Sequence, residues 1–181
     1  SQFLIDNFYK AVKSVVPEEA KTVHEVGCGP GYSILFLKKF FPHATFTASD
    51  IDPELITMAK EKNPEINVFR ESIYELKAQD NTYDVVFALE TLEHLEDPEK
   101  ALSELHRVTK KHVIVSVPRE PLWRVLNTMR GKYLKDFGNT PGHVNHWSTG
   151  SFKKFVGSKF TIAEVRTPLP WTIIHGIKNS S

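Results

Sequence analysis

The sequence predicts an α/β protein with a doubly wound, mostly parallel sheet. Short β-branched runs alternate with helical patterns along most of the chain, which is the rhythm of strand–helix–strand units. A glycine-rich turn at 27–31 follows the first run, and Asp50 ends the second. In such a fold the carboxyl ends of neighbouring parallel strands form a crevice that binds a ligand. We therefore expect a ligand site that includes the turn and Asp50.

Strands are predicted wherever the β-branched runs occur, and helices are predicted in the gaps between them. Element boundaries read from a single sequence are good to about two to four residues. The seven predicted strands lie at about 22–26, 44–49, 66–69, 83–89, 111–117, 160–166 and 171–175.

Three helices have clear signatures in the sequence. Apolar residues recur at helical spacing over 4–15, which predicts an amphipathic helix packed on the sheet. The stretches 52–54 and 97–99 both read Asp-Pro-Glu, so each places a capping carboxylate before a proline in the first turn. These two stretches predict where the helices after the second and fourth strands begin.

Length and composition predict one small soluble domain, and the cytoplasm is the expected compartment. A chain of 181 residues has room for a single domain, 1–181, and its net charge of +1 gives no field that would attract nucleic acid or anionic membranes. Cys28 is the only cysteine, which excludes an intramolecular disulfide and fits a reducing cytoplasm. No apolar run is long enough for a membrane span. The expected partner is a small molecule, and nucleic acid is not expected.

The rhythm breaks after Pro118, and residues 119–148 are predicted to form a cap or insertion. Apolar residues share one helical face there, with basic residues around it. That face could cover an apolar substrate as a lid, or lie on a membrane surface. The lid is favoured, because five charges are few for stable membrane attachment. The apolar residues are Leu122, Val125, Leu126 and Met129, and the basic ones include Arg124, Arg130, Lys132 and Lys135.

The turn at 27–31 has the composition of a nucleotide-binding loop. Glycine lets the backbone approach a ligand closely, and the helix predicted from about Tyr32 offers free N–H groups at its start. Asp50, at the end of the next strand, can accept hydrogen bonds from ribose hydroxyl groups. Two plainer interpretations stay open: the glycines only make a tight turn, or Asp50 caps a helix, a role that Asp52 fits better.

The spacing of the glycines favours S-adenosylmethionine over a dinucleotide. A dinucleotide loop reads G-x-G-x-x-G, but Tyr32 stands three places after Gly29, and the third glycine, Gly31, comes one place early. Glu25 stands two places before the first glycine, where a carboxylate suits a cationic ammonium or sulfonium better than a pyrophosphate. The predicted cofactor is therefore S-adenosylmethionine.

Four segments form an ordered set from the first strand to the turn after the fourth. They are Glu25-Val26-Gly27-Cys28-Gly29-Pro30-Gly31, Asp50-Ile51-Asp52-Pro53-Glu54, Tyr83-Asp84-Val85-Val86-Phe87 and Leu92-Glu93-His94-Leu95. In order and spacing they resemble class I S-adenosylmethionine-dependent methyltransferases of the ubiquinone-biosynthesis-like, or type 11, group. The resemblance covers about residues 20–118. It implies a Rossmann-like, three-layer αβα fold with a seven-stranded sheet whose last strand is antiparallel.

The resemblance also implies roles for individual residues. The backbone of the glycine turn and the carboxyl of Glu25 would hold the methionine part of the cofactor, and Asp50 would bind the ribose hydroxyl groups. Ile51 and Ile73 would sandwich the adenine, with Ser72 near its polar edge. In full, the predicted cofactor-binding residues are Glu25, Gly27, Cys28, Gly29, Asp50, Ile51, Ser72, Ile73 and Leu89.

Glu90, Glu93 and His94 follow the fourth strand at positions i, i+3 and i+4, so a helical turn would place them on one face. Together they could hold a divalent ion such as magnesium, with His143 or His146 completing the site. The triplet is similar to the metal-binding E-x-x-E-H of some small-RNA and quinone methyltransferases. We nevertheless predict no metal and favour a structural or substrate-contact role, because such a turn can simply cap a loop.

The predicted catalytic residues are His143, His146 and His94. Methyl transfer from a sulfonium needs a general base only when the nucleophile carries a proton, and histidine is the usual base near neutral pH. Each of the later two histidines could instead serve only the structure of its loop. We predict a methyltransferase for a small-molecule acceptor, with transfer to oxygen slightly favoured. The alternatives are a cofactor-binding protein without turnover and a nicotinamide-dependent oxidoreductase.

Overall fold

The computed structural model describes residues 2–17, 19–129 and 140–179. Within these residues, seven strands form one sheet. They are β1 (Thr22–Val26), β2 (Thr45–Asp50), β3 (Asn67–Arg70), β4 (Tyr83–Leu89), β5 (Thr109–Pro118), β6 (Thr161–Arg166) and β7 (Trp171–Ile177). Their order across the sheet is β3-β2-β1-β4-β5-β7-β6.

The first five strands are parallel, and β7 is antiparallel to both of its neighbours. Pairing between β5 and β7 runs from His112 opposite Ile177 to Pro118 opposite Trp171. The predicted seven-stranded, mostly parallel sheet with an antiparallel last strand is confirmed. The main differences in length are that β5 begins at Thr109 and that β7 continues to Ile177.

In the described part of the chain, six α-helices and one short 3₁₀ helix accompany the strands. The predicted caps are confirmed: the Asp52 carboxylate accepts from the N–H of Glu54 at 2.8 Å, and the Asp97 carboxylate accepts from the N–H of Lys100 at 3.0 Å. The helices are α1 (Gln2–Lys13), α2 (Ile34–Phe40), α3 (Pro53–Lys62), the 3₁₀ helix (Leu92–His94), α4 (Pro98–Val108), α5 (Leu122–Met129) and α6 (Thr149–Gly157).

Helices cover both faces of the sheet, which gives the predicted three layers. Helices α1, α2 and α3 pack on one face, where Val12, Leu37 and Ala59 are fully buried. Helices α4 and α6 pack on the other, where Leu105 and Phe152 are fully buried. Burial of apolar side chains on both faces is what a parallel sheet requires. The αβα arrangement is therefore confirmed.

The connection between β3 and β4, residues 71–82, contains no helix, so the prediction of a helix in every gap is wrong there. Side chains from elsewhere hold its backbone instead. The guanidinium of Arg107 in α4 donates to the carbonyl oxygens of Leu76 and Ala78, both at 2.8 Å. Asn81, with a φ of +56°, turns the chain into β4. These contacts satisfy backbone groups that a helix would have satisfied internally.

Helix α5 and the loop 140–148 are the described part of the predicted cap. The predicted apolar face of α5 is partly exposed: Val125 is 50% exposed and Met129 is 79% exposed. Asn127 is buried instead, and its Nδ2 donates to Thr140 Oγ1 at 3.2 Å. In the described parts of the chain, no helix has the length and apolar character needed to cross a bilayer. Three predicted basic residues, Arg130, Lys132 and Lys135, lie outside the described residues.

Candidate active site

A cavity of about 520 Å³ opens at the carboxyl edge of the sheet, where β1, β2 and β4 end. This is the crevice in which doubly wound folds bind their ligands. Six of the nine predicted cofactor-binding residues line it, and the other three lie behind its wall. The six are Gly27, Gly29, Asp50, Ile51, Ser72 and Ile73.

A larger cavity, of about 950 Å³, lies at the opposite edge of the sheet, where β1, β4 and β5 begin. Lysine side chains line it, but two of them are engaged within the fold. Lys110 Nζ lies 3.4 Å from Asp84 Oδ1, and Lys178 Nζ donates to the carbonyl of His106 at 2.7 Å. None of the predicted site residues lines this cavity. The smaller cavity is therefore the candidate site.

Asp50 closes the glycine turn onto the end of β2. Asp50 Oδ2 accepts a hydrogen bond from the N–H of Gly29 at 2.8 Å, and Oδ1 accepts one from the N–H of Asp52 at 3.0 Å. The cap of α3 is Asp52, so the alternative in which Asp50 is the helix cap is wrong. Each carboxylate oxygen of Asp50 has a second lone pair that a ribose hydroxyl can use.

Gly27 is required by the local geometry. Its φ of +72° lies in the left-handed region, and a Cβ there would lie 2.6 Å from side-chain atoms of Thr91. The N–H groups of Gly27 and Cys28 both donate to the carbonyl of Ser49, at 2.8 and 3.0 Å. The turn is thus held tightly against the end of β2 and also forms part of the cavity wall.

Glu25 is a buried carboxyl behind the glycine turn, with 1% of its surface exposed. Its Oε2 is buried and has no hydrogen-bond partner among the described residues. Burial raises the pKa of Glu25 to about 7; a hydrogen bond from Ser33 opposes this shift, and the charge of Asp50 adds to it. A buried carboxylate oxygen without a partner is costly unless a donor or a cation satisfies it. Glu25 is therefore suited to a cationic ligand group.

Cys28 and Leu89 are also buried beside the cavity without lining it. They are 5% and 7% exposed, respectively. Burial raises the pKa of the Cys28 thiol above its ordinary value. The carbonyl of Leu89 accepts a hydrogen bond from Thr91 Oγ1 at 3.1 Å. Any contact of these two residues with a cofactor would involve their backbone, and that role stays a prediction.

Glu90 differs from the sequence prediction. Its φ of +54° takes the chain out of β4 in a left-handed conformation, so it does not share the helical turn of Glu93 and His94. Its carboxyl is held by Ser116 Oγ at 2.9 Å and Trp171 Nε1 at 2.8 Å, both as donors. Burial raises the pKa of Glu90 to about 7. Strained backbone at the edge of a cavity is typical of functional positions.

Glu93 and His94 instead form a group with His143. One ligand atom from each of the three lies within 4.8 Å of the others, a set of two imidazoles and one carboxylate that fits a divalent ion. His94 Nδ1 lies 2.9 Å from the carbonyl of Gly142, so Nδ1 carries a proton, and Nε2 lies 3.9 Å from Glu93 Oε1. Burial, together with the charge of nearby Glu90, raises the pKa of Glu93.

The three predicted catalytic histidines occupy different environments. His94 lines the cavity, and 46% of its side chain is exposed. His143 is 9% exposed, and its ring centroid lies 4.9 Å from that of His94. Burial, followed by the charges of His94 and His146, lowers the pKa of His143 to about 4, so it is neutral at physiological pH. His146 is exposed and does not line the cavity.

Aromatic side chains beside the site escaped the sequence prediction. Trp171, at the start of β7, has its ring centroid 5.0 Å from Phe8 and 6.2 Å from Trp123. The ring of Tyr9 stacks on that of Phe36, with centroids 4.0 Å apart. Burial, followed by the charges of nearby carboxylates, raises the pKa of Tyr9. These rings come from α1, α2, α5 and β7, so no local pattern joins them. The sequence gives one hint, which is that Trp171 stands at the start of β7, at the edge of the sheet where the cavity opens.

The sheet order, the antiparallel β7 and the crevice at the glycine turn define a class I methyltransferase fold. The sequence profile of the family described as Methyltransferase domain matches residues 24–117, just over half of the chain. The chain belongs to this family. The predicted resemblance is thereby confirmed for the segments that carry the glycine turn, Asp50 and the turn after β4.

Two curated relatives show how far the sequence similarity extends. The chain is 40% identical over 97 residues to an uncharacterized methyltransferase of Schizosaccharomyces pombe, covering 48% of this chain and 35% of that protein. It is 28% identical over 133 residues to a demethylmenaquinone methyltransferase of Chlorobaculum parvum, covering 67% and 55%. The chain thus spans about a third of the first relative and about half of the second.

A solved structure extends the comparison to nearly the whole chain. Magnesium protoporphyrin IX methyltransferase from Synechocystis PCC 6803, with bound SAH, superposes with a TM-score of 0.71. The match covers 98% of this chain and 83% of that one at 20% sequence identity. At this level of identity the likeness shows the fold alone.

Proposed function

We propose that this chain transfers a methyl group from S-adenosylmethionine to a small, apolar acceptor, with transfer to oxygen slightly favoured. One observation carries the proposal. The N–H of Gly29 donates a hydrogen bond to Asp50 at the cavity. The buried carboxyl of Glu25 lies behind the same turn, and its Oε2 has no hydrogen-bond partner among the described residues. Sugar-binding and cation-binding groups therefore meet at one crevice, which suits a sulfonium nucleoside.

Each part of the cofactor has a proposed partner. Asp50 binds the ribose hydroxyl groups, and the cavity walls at Ile51 and Ile73 hold the adenine, with Ser72 at its edge. Glu25 does not itself line the cavity. It meets the methionine ammonium group either directly or through a water molecule. The remaining predicted contacts are with the backbone of Gly27, Cys28, Gly29 and Leu89.

The chemistry asks the protein mainly to position two reactants and exclude water, because the sulfonium is already activated. The acceptor oxygen attacks the methyl carbon, and the carbon–sulfur bond breaks with its electron pair going to sulfur. The acceptor proton leaves to a base. We place that base at His94 Nε2, because His94 lines the cavity, its Nδ1 is bonded to the carbonyl of Gly142, and His143 packs on its ring. His146 stays a second candidate in the same loop as His143.

The apolar acceptor rests on the surroundings of the histidines. Trp123 and Trp171 lie on the α5 side of the site, with Trp123 6.1 Å from the His143 ring. The partly exposed Val125 and Met129 belong to the same helix and could cover an apolar molecule. The curated relative from Chlorobaculum is named for a quinone substrate, which is also apolar. These features favour an apolar acceptor over a charged one.

An untargeted transfer experiment tests the function. The protein is incubated with cell extract and S-adenosylmethionine carrying an isotopically labelled methyl group, and products that gain the label are identified by mass spectrometry. We expect label in a small apolar compound and release of S-adenosylhomocysteine. The control is the Asp50→Ala variant in the same extract. Tight cofactor binding without labelled product would instead support the binding-protein alternative. Tighter binding of NADH than of S-adenosylmethionine would overturn the cofactor assignment.

The pKa of Glu25 makes cofactor affinity depend on pH. In the free protein this pKa is about 7, so the carboxyl is increasingly protonated below that pH. An ammonium group favours the ionised form, and binding at low pH must therefore release a proton. We expect the Kd of S-adenosylhomocysteine, measured by calorimetry, to fall by about 15-fold between about pH 5.5 and about pH 7 and to level off above about pH 8.

The Glu25→Gln variant separates this carboxyl from other groups. It should bind S-adenosylhomocysteine more weakly at pH 7, with a much flatter pH dependence, because the titrating group is gone. Glu99→Gln, in the first turn of α4, removes a carboxyl outside the cavity wall and should leave the profile unchanged. An unaltered profile in Glu25→Gln would assign the proton to another group, of which Glu90 is the nearest in pKa.

A further inference from the structure

The β3–β4 connection forms one wall of the cavity and has no helix to fix its shape. Ser72, Ile73 and Tyr74 all line the cavity from this connection. Backbone groups outside helices and sheets need partners from side chains or water. The position of the wall therefore depends on side chains that reach the connection from the rest of the fold.

Glu71 anchors the beginning of the connection. It is 6% exposed, and its Oε2 accepts a hydrogen bond from the N–H of Lys77 at 3.0 Å. Its Oε1 lies 3.1 Å from His24 Nε2. The bond to Lys77 closes a loop that contains all three wall residues, so a shift of the Glu71 carboxylate would shift the wall.

His24 fixes the Glu71 carboxylate from within the sheet. It is fully buried in β1, with Nδ1 2.8 Å from Thr47 Oγ1 and Nε2 3.0 Å from Ser49 Oγ. Its ring stacks on that of Tyr83, with centroids 4.5 Å apart. A buried imidazole is costly unless its nitrogens are bonded. Here both nitrogens and one ring face have partners, so the ring has little freedom to move.

The charge state of Glu71 suits this role. Burial by itself would raise the pKa of Glu71, but hydrogen bonds from His24, from the N–H of Lys77 and from Ser49 hold it below its ordinary value. The carboxylate is therefore ionised at neutral pH and accepts hydrogen bonds from His24 and from the N–H of Lys77. Charge-assisted hydrogen bonds of this kind are stronger than neutral ones.

A second anchor holds the far end of the connection and provides a comparison. The Arg107 guanidinium binds the carbonyl groups of Leu76 and Ala78, and Glu104 Oε2 accepts from the N–H of Leu76 at 2.8 Å. Neither of these two connection residues lines the cavity. Loss of this anchor should destabilise the protein without moving the wall.

We propose that His24 and Glu71 are positioning residues for the adenine side of the cofactor site. The pair sets the place of Ser72, Ile73 and Tyr74, and thereby the affinity for the adenosine part of the cofactor. The proposal rests on the proposed cofactor. His24 is fully buried and does not line the cavity, whereas Glu71 lines the cavity and also anchors the wall. The proposal assigns the pair no role at the methionine end, which belongs to Glu25.

Two ligands measured by calorimetry test the proposal. S-adenosylhomocysteine carries both the adenosine and the amino-acid part, and 5′-methylthioadenosine lacks the amino acid. In His24→Leu, the Kd of both ligands should rise by the same factor, about tenfold, because the defect lies at the adenosine end. His24→Gln keeps a donor near the position of Nε2 and should restore both values to within about threefold of the wild type.

Two control variants separate positioning from stability and from the methionine end. Arg107→Lys should lower the melting temperature and leave both Kd values unchanged. Glu25→Gln should weaken S-adenosylhomocysteine and leave 5′-methylthioadenosine unchanged. Wild-type Kd values in a folded His24→Leu protein, or a matching loss of affinity in Arg107→Lys, would overturn the proposal. Failure of the wild-type protein to bind either ligand would overturn the cofactor itself instead.

If His24→Leu does not fold, the Glu71→Gln variant tests the proposal in its place. The amide preserves the shape of the side chain, but its nitrogen cannot accept a hydrogen bond, so one of the two anchoring contacts weakens. Both Kd values should then rise at least about threefold. Unchanged values for both ligands in this variant would contradict a positioning role for the pair.

Discussion

Replacing Asp50 with alanine is expected to weaken the binding of S-adenosylhomocysteine by about 100-fold, or about 2.7 kcal/mol. Two losses combine in this variant. The ribose hydroxyl groups lose a charged acceptor, and a hydrogen bond to a charged group contributes about 1.5–3 kcal/mol. The N–H groups of Gly29 and Asp52 also lose their partner, so the turn is no longer closed onto β2. Isothermal titration calorimetry measures the change directly.

Asp97 provides a control for Asp50→Ala, because its carboxylate also accepts from a backbone N–H near the start of a helix but does not line the cavity. Its carboxylate caps α4 through the N–H of Lys100. Asp97→Ala should therefore cost about 1 kcal/mol of stability, as the loss of a helix cap does, with no change in Kd. If Asp50→Ala bound the ligand as tightly as the wild type, the ribose assignment would be wrong.

Local signals predicted most of the fold because they act over a few residues. Asp52 and Asp97 cap helices in the structure as the Asp-Pro-Glu stretches require. The β3–β4 connection shows where such signals stop. Arg107 lies 31 residues from Leu76, whose carbonyl it binds, and His24 lies 47 residues from Glu71, so no spacing rule reveals that a helix is missing.

The residues of the candidate site also fall into two groups, those that the sequence could place and those whose position depends on distant contacts. Gly29 and Asp50 could be placed together from sequence, because the carboxyl ends of adjacent parallel strands share one edge. The left-handed backbone of Glu90 could not be predicted from the sequence, because it depends on hydrogen bonds to β5 and to Trp171 in β7. The group of Glu93, His94 and His143 likewise requires the cap loop to fold back onto the turn after β4, which the N–H of Val144 does by donating to the carbonyl of Glu93.

Replacing His94 with glutamine is expected to lower kcat by about 100-fold or more, the range for loss of a general base. The geometry favours His94 over the other predicted histidines. Its Nδ1–H is directed to the carbonyl of Gly142, which leaves Nε2 as the acceptor at the cavity. His143 lies behind it, so His143→Gln should reduce kcat less, about tenfold, by freeing the ring of His94.

The kinetic test uses the acceptor found by the labelling experiment. The drop in kcat is measured for His94→Gln against the wild type at one fixed pH. Measuring the Kd of S-adenosylhomocysteine in the same variant distinguishes lost catalysis from lost binding. His43→Gln, an exposed histidine at the opposite edge of the sheet, should keep kcat within about twofold. A normal kcat in His94→Gln with a collapsed one in His146→Gln would move the base to the loop after α5.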